Sequence, residues 1–497
     1  MEKKDFEAIL DTVKNAGIKT ASALKKLLAE TEEKAQAPAE CLTARGRIEA
    51  LFDAGTFMES GTYVRRADNE DAFEGVICGW GSVSGRLVFA FSQDYSRSKG
   101  ALTEAHAEKI VELYRLAVEN GAPVIGIFDS AGALLPEGVK AIAGYSKVMK
   151  AVSSASGVIP QIAIVPGICS GSSAVAAGMF DFIIISEAKG KVSFNAPFAV
   201  DCDKVGSADF ASESGLATLS AKNDGECILK AKELLSYLPM NNMEGTVCEL
   251  SGDTANRLCD ISEYTESGDT AALAKAIADN GKYLELNCDY AREMTVGFAS
   301  VNGTVCGIVG NRKSENSGIL TASAARKAAR MVSFCDSFNI PVITIVDSKG
   351  TDISAEAEAS PYAAELAKLA FAYSCAKCPM VTVIAGEAYG AVFSVMGSKS
   401  MGADVVLALD TAKVGVMSAD RAVAFLWNDK ISETVTRQDL EDTWNETQGS
   451  PVCAASTGEI DDIIEAGELR QRVCGAVMML SAKSKCAPSR RHANMPL

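Results

Sequence analysis

Two stretches of the chain have the residue types and spacing to stabilise a developing negative oxygen. In Ile164-Val165-Pro166-Gly167-Ile168-Cys169-Ser170-Gly171-Ser172-Ser173-Ala174, and again in Val383-Ile384-Ala385-Gly386-Glu387-Ala388-Tyr389-Gly390-Ala391-Val392-Phe393, an apolar strand-like run enters a turn of small residues that opens a helix. Backbone N–H groups at such a start have no intrahelical acceptor, and small residues let a ligand carbonyl approach them. That arrangement makes an oxyanion hole, in which each well-placed donor stabilises the transition state by about 3 to 4 kcal/mol. Close packing of a helix on a sheet also calls for Gly, Ser and Ala, and for either turn alone it is the commoner explanation. A second segment able to donate accompanies each turn, Ser130-Ala131-Gly132 and Ser348-Lys349-Gly350, and with it the balance moves toward chemistry.

The rest of the inventory is poor in catalytic side chains. Only two histidines occur, His106 in a predicted helix and His492 near the C-terminus, so Ser-His or Cys-His nucleophilic catalysis would have to use one of them. His106, at the polar start of its helix, reads as a surface or capping residue. No Walker-type loop exists, and Gly167-Ile168-Cys169-Ser170-Gly171 lacks the lysine that P-loop chemistry needs. The single C-x-x-C, Cys375 to Cys378, has no second pair at zinc-ribbon spacing, so no metal is expected. Most of the 15 cysteines, such as Cys169, Cys306 and Cys335, lie in apolar stretches where a thiol behaves as a small hydrophobe. The charged start MEKKDFEAIL lacks the apolar core of a secretory signal, which makes a cytoplasmic protein with reduced thiols the expectation. No apolar run approaches the roughly 20 residues that span a bilayer, so any membrane link is expected through another subunit. A net charge of −16 without a basic block argues against nucleic acid as a partner.

The elements that would position the two turns repeat along the chain. Lys-, Glu- and Ala-rich helical spacing over the first forty residues reads as an N-terminal arm, and a hairpin is expected between Val76 to Cys78 and Leu87 to Phe91. Next come a helix from about Thr103 to Glu119 and the strand Pro123 to Phe128, leading into Asp129-Ser130-Ala131-Gly132. Pro341 to Gly350 repeats Pro123 to Gly132 at an offset of 218, and Pro379 to Gly386 repeats Pro160 to Gly167 at 219. Two registers agreeing to one residue indicate two homologous α/β halves, joined across a segment rich in Gly, Asn and Asp near Asn241 to Asp279. Strands separated by helices at this spacing favour mainly parallel sheets with helices outside.

These residues together resemble the carboxyltransferase subunits of biotin-dependent acyl-CoA carboxylases and decarboxylases, of the propionyl-CoA carboxylase beta and methylmalonyl-CoA decarboxylase alpha type. The resemblance is carried by Leu42 to Arg47, Gly75 to Gly85, Phe91 to Asp94, Glu104-Ala105-His106, Gly121 to Gly144 and Ala155 to Ile162. In the second half it is carried by Gly307 to Asn311, Phe334 to Pro341 and Ala388-Tyr389-Gly390, and the ending His492 to Leu497 is similar to the decarboxylase branch. The resemblance implies a duplicated crotonase-like superhelix of ββα units, with an acyl-CoA-binding half over 1–245, a linker over 246–280 and a biotin-binding half over 281–497. It places the acyl-CoA oxyanion hole at Gly171 and Ser172 and the biotin hole at Ala391 and Val392, with Ala131, Gly132, Tyr389 and Gly390 lining the ligands.

It further implies a coenzyme A thioester as substrate and biotin on a separate biotin carboxyl carrier protein, since the chain has no Ala/Val-Met-Lys-Met site. The other implied partners are a biotin carboxylase or a membrane decarboxylase subunit, and further copies of the chain in a dimer or hexamer. The ureido nitrogen left when carboxybiotin gives up CO2 can take the proton from the acyl carbon, which accounts for the absence of a protein base. Departures cluster at the holes. The family's Gly-Gly pairs read Gly171-Ser172 and Gly390-Ala391, an Arg is replaced by Leu134, and Phe194-Asn195-Ala196-Pro197-Phe198, Asp347-Ser348-Lys349-Gly350-Thr351 and Gly386-Glu387 also differ. An added Cβ preserves a backbone donor but narrows the hole. A crotonase-type hydratase, isomerase or hydrolase, and a non-catalytic subunit keeping the fold, are the alternative readings.

Overall fold

The computed structural model describes residues 41–484, except 67–68, 196–199, 201, 203, 250 and 433, together with Asn494. The expected N-terminal arm, His492 and part of the Phe194 to Phe198 segment fall outside the described residues. The chain divides between Asn241 and Asn242 into two compact units.

The first unit is built on a seven-stranded sheet in the order Met58–Ser60, Val76–Val83, Arg86–Gln93, Val124–Ile127, Gln161–Val165, Phe182–Ser186, Leu219–Ala221. The first three strands are antiparallel and the others join in parallel. The second unit follows the same order and the same directions through Tyr283–Leu286, Met294–Val301, Thr304–Asn311, Val342–Ser348, Met380–Tyr389, Val405–Leu409 and Asp462–Ile464. The sheets are therefore mixed. The expected hairpin forms between Val76–Val83 and Arg86–Gln93, and Ser84 and Gly85, both at positive φ, make its turn. Gly79 and Gly81 lie inside the strand, where a Cβ would meet the Phe57 and Phe52 rings at 2.7 and 2.8 Å.

The crossover helices form for local reasons repeated in both units. Thr103 caps Glu104–Asn120 by accepting from the His106 N–H, and Thr321 caps Ala322–Ser337 by accepting from the Ala324 N–H. Gly121, at φ +59, ends the first of these in the left-handed conformation. Ile110, Leu113, Tyr114 and Ala117 present the apolar stripe of Glu104–Asn120 to the core with Phe89, Phe91 and Val124. Burial of side chains of this size contributes about 1.5 to 3 kcal/mol each.

One local difference separates the units. Gln161–Val165 and Ile168–Ser170 are broken apart at Pro166-Gly167, where proline has no N–H for the ladder, while Met380–Tyr389 runs on through Ala385. Short strands lie beside both, Lys191–Ser193 on Ile168–Ser170 and Lys413–Gly415 on Glu387 to Tyr389. Residues 246–280, read from the sequence as a joining stretch, carry the helices Ser262–Ser267 and Thr270–Ile277, whose Tyr264, Leu273, Ala274 and Ile277 are buried in the second unit's core. Asp269 caps the latter helix by accepting from the Ala271 N–H at 2.9 Å. No helix among the described residues is long and apolar enough to cross a membrane.

Candidate active site

In the first unit the strand Ile168–Ser170 enters the helix Ser172–Gly178 through Gly171 at φ +62 and ψ −130, a conformation that only glycine adopts without strain. The Gly171 N–H donates to Ser193 O at 3.0 Å, so this residue sets the direction of the turn and has no free donor. The N–H groups of Ser172 and Ser173 have no acceptor among the described residues. Beside this turn, the Ala131 N–H donates to Lys99 O at 3.0 Å and the Gly132 N–H to Ser130 Oγ at 3.1 Å. Leu102 N–H donates to Gly132 O and Leu134 N–H to Leu102 O, both at 2.9 Å. Ala133 therefore faces away from Leu102, and its N–H has no acceptor among the described residues. The two segments are adjacent, since a Cβ on Gly132 would lie 3.9 Å from Ser170 O.

The second unit repeats this. Gly390, at φ +56, donates its N–H to Gly415 O at 3.0 Å, and a Cβ there would meet Val416 O at 3.2 Å. The N–H groups of Ala391 and Val392 have no acceptor among the described residues, and the Val392 side chain is buried, so it offers only backbone. Tyr389 ends the strand against Gly415, and burial lifts its phenol to about 12, out of range for proton transfer at neutral pH. The Gly350 N–H donates to Ser348 Oγ at 3.1 Å, Leu320 N–H to Gly350 O at 3.0 Å, and the Thr351 N–H is open among the described residues. Of the residues singled out from the sequence, Ser172, Ala391 and Val392 have open donors, while Ala131, Gly132, Gly171 and Gly390 shape the turns with their N–H groups engaged.

Behind each turn sits a buried carboxylate. Asp129 Oδ1 accepts from the Ile168 N–H at 3.1 Å and Oδ2 from Arg47 Nη1 at 2.8 Å, and Arg47 Nε donates to Asp224 at 2.9 Å. Burial lifts the Asp129 carboxyl above its usual range despite Arg47. Asp347 Oδ1 accepts from the Glu387 N–H at 2.9 Å and Oδ2 from Tyr264 Oη at 2.7 Å, with Lys313 Nζ 3.4 Å from Asp347 and 3.3 Å from Glu387. Burial opposes the Lys313 charge, but Asp347 and Glu387 overcome it and hold the ammonium above its ordinary range. Sequence reasoning assigned no role to Arg47, Lys313 or the two aspartates. The available signal was the Asp-Ser pair recurring at the 218 offset.

His106 departs from its reading as a surface or capping residue. Its N–H is capped by Thr103, but the ring is fully buried, with Nε2 at 3.3 Å from Gln93 Nε2, because its helix face packs on the sheet. Burial, aided by Lys109, lowers its pKa to about 3, so the imidazole is neutral and enclosed. Cys378 is buried and Cys375 half-buried, and no group of three His, Cys, Asp or Glu side chains is placed to hold a metal among the described residues.

Known proteins resemble this chain along nearly its whole length. The propionyl-CoA carboxylase beta chain of Saccharopolyspora erythraea is 34% identical over 493 residues, covering 92% of this chain and 90% of its own. The methylmalonyl-CoA decarboxylase subunit alpha of Propionigenium modestum is 35% identical, covering 92% of this chain and 93% of its own. A transcarboxylase 12S crystal structure with hydrolysed methylmalonyl-coenzyme A bound superposes with a TM-score of 0.90 at 31% identity, covering 96% of this chain and 99% of that one. Residues 35–495 match the carboxyl transferase domain, and with relatives of this identity along nearly its whole length the chain belongs to the carboxyl transferase family.

Proposed function

We propose that this chain is the carboxyltransferase subunit that moves a carboxyl group between carboxybiotin on a separate carrier and an acyl-CoA thioester, as a carboxylase or in the decarboxylating direction. The observation that carries the proposal is the pair of matching turns, each with a positive-φ glycine tied to a neighbouring strand and open N–H groups beyond it. The two units are on this reading one crotonase-type ββα fold, duplicated. The first unit takes the acyl-CoA. Its Ser172 and Ala133 N–H groups converge on the thioester oxygen and stabilise the enolate as charge develops there. The second unit takes biotin, with Ala391, Val392 and Thr351 as donors to the ureido oxygen. Gly390 keeps this turn free of a Cβ, which at φ +56 would crowd Val416 O at 3.2 Å. Biotin, when bound, supplies the carboxyl carrier and a ureido nitrogen able to take up a proton.

The chain's own task is then to position two ligands and to stabilise two oxyanions. A hydratase or hydrolase would need a base or acid at the hole, and the imidazole of His106 is sealed in the core. The names of the relatives favour a short acyl group and its malonyl-type product, propionyl-CoA and methylmalonyl-CoA being the first pair to test. The proposed partners are a biotin carboxyl carrier protein and either a biotin carboxylase or a membrane decarboxylase subunit, with the chain itself cytoplasmic. Transcarboxylase 12S is described as a hexamer, and a dimer or hexamer is proposed here. The test is to incubate the protein with free biotin and methylmalonyl-CoA labelled with 13C in the free carboxyl group, and to follow label onto biotin by mass spectrometry. Transfer supports the proposal. A folded protein that moves no label from methylmalonyl-CoA or malonyl-CoA, to free biotin or to a biotinylated carrier, overturns it.

A further inference from the structure

The same layered brace stands behind both turns. In the first unit Ser98, Lys99 and Gly100 take φ values of +50, +56 and +65, a left-handed turn pressed so closely on the next strand that a Cβ on Gly100 would lie 2.0 Å from Asp129 O. On the other side, a Cβ on Gly167 would lie 2.2 Å from Asp129 Oδ1. In the second unit Asn316, Ser317 and Gly318 take +45, +54 and +65, a Cβ on Gly318 would lie 2.4 Å from Asp347 O, and one on Gly386 would lie 2.2 Å from Asp347 Oδ1. Left-handed backbone is costly for non-glycine residues and persists only where the surroundings enforce it.

What this brace clamps is a dipeptide that touches both donor segments. Asp129 Oδ1 and Ser130 N–H hold the two sides of Ile168, while Ser130 Oγ holds the Gly132 N–H. Asp347 Oδ1 holds the Glu387 N–H, Ser348 pairs with Ala388, and Ser348 Oγ holds the Gly350 N–H. The partners differ, Arg47 for Asp129 but the Lys313 ammonium and the neutral Tyr264 hydroxyl for Asp347, so the common feature is the carboxylate bond to the turn and not the ion pair. Both serines are fully buried and the aspartates nearly so, which keeps the four residues away from any ligand.

We propose that Asp129-Ser130 and Asp347-Ser348 are positioning residues that set the gap between the two donor segments of each hole, Ala133 with Ser172 in the first unit and Thr351 with Ala391 in the second. The proposal rests on the two-hole reading above. Ser130→Ala removes the bonds of Ser130 Oγ to the Gly132 N–H and to Gly132 O, leaving the Gly132–Ala133 peptide held by Leu102 alone, so the aim of the Ala133 N–H loosens. Turnover with acyl-CoA should fall about 10- to 100-fold, less than the 10² to 10³ of a donor removed outright. Ser348→Ala should slow the biotin half-reaction by a similar factor.

The deciding readout is the carbonyl stretch of bound thioester, measured by isotope-edited infrared spectroscopy with acetyl- or propionyl-CoA 13C-labelled at the thioester carbon, whichever binds more tightly by calorimetry. Wild type should shift the band to lower wavenumber, Ser130→Ala should lose most of that shift, and Ser348→Ala should keep it. Should Ser130→Ala not fold, Ser130→Cys, nearly isosteric but a much weaker acceptor, takes its place. A shift in wild type that survives unchanged in the Ser130 variant overturns the positioning role alone. No shift in wild type, or binding of neither thioester, overturns the two-hole reading beneath it.

Discussion

Replacing Arg47 with methionine should destabilise the first unit severely and leave the second untouched. Arg47 bonds Asp129 at 2.8 Å and Asp224 at 2.9 Å, with side-chain exposures of 7%, 10% and 1% respectively, so one cation serves two enclosed carboxylates. Breaking a buried pair by removing one partner costs about 3 to 5 kcal/mol. Two carboxylates losing the same partner, and left facing each other, should fall near the upper end. Methionine fills much of the vacated volume, which keeps any cavity contribution small. Hydrogen exchange read by mass spectrometry separates the units. Peptides covering Val124–Ile127 and Gln161–Val165 should exchange roughly 10³- to 10⁴-fold faster, while Val342–Ser348 keeps its protection. The defect also has a sign in pH. Burial already raises the Asp129 carboxyl, and without Arg47 it rises further, so the folded variant binds this proton more readily than the unfolded chain does. Stability is then lost as pH rises above the ordinary Asp range, and the variant's deficit should narrow as pH falls back toward that range. Unchanged protection at Val124–Ile127, or a deficit that widens on acidification, would refute the reasoning.

Three further outcomes are expected. Gly171→Val should abolish acyl-CoA turnover by forcing a side chain into φ +62, whereas Gly390→Val should impair the biotin half-reaction with calorimetric acyl-CoA affinity near wild type. Equal loss of acyl-CoA affinity in both would end the assignment of one ligand to each unit. His106→Gln should lower turnover less than about tenfold, since true acid/base residues contribute about 10² to 10⁴. The folded imidazole resists protonation down to about pH 3 while the unfolded one titrates near 6.5, so wild type loses stability as pH falls through that window. The Gln variant should lack this acid sensitivity, with Trp80 fluorescence reporting on the first unit. Light scattering at micromolar concentration should give a dimer or a multiple of dimers, and a fully active monomer would contradict the proposed oligomer.

Much of this was legible in the sequence, and what was not has identifiable causes. Runs such as Ile162 to Val165 are apolar at every position because both sheet faces are covered, and that pattern survives without any tertiary information. The 218 and 219 registers exposed the repeat because strand ends and turns bear the strictest steric limits. The helix Thr270–Ile277 was hidden by its polar neighbours, Asp269 reading as a turn residue although it is a cap. Arg47 was visible as a motif letter, but its partners lie 82 and 177 residues away, beyond any local pattern. Gly171 was recognised as a turn residue, yet the fate of its N–H depends on Ser193, a contact made only when the short strand folds back. His106 appeared polar and exposed because helix position alone does not reveal which side meets the sheet.

The most direct test of catalysis without a protein base is proton exchange at the acyl carbon. Propionyl-CoA held with the enzyme in D2O, in the absence of biotin, should acquire no deuterium at the α-carbon above the enzyme-free rate. The same preparation, supplied with free biotin and 13C-labelled methylmalonyl-CoA, should transfer the carboxyl label to biotin. Rapid deuterium uptake without biotin would contradict the account, because it would require a base within the protein.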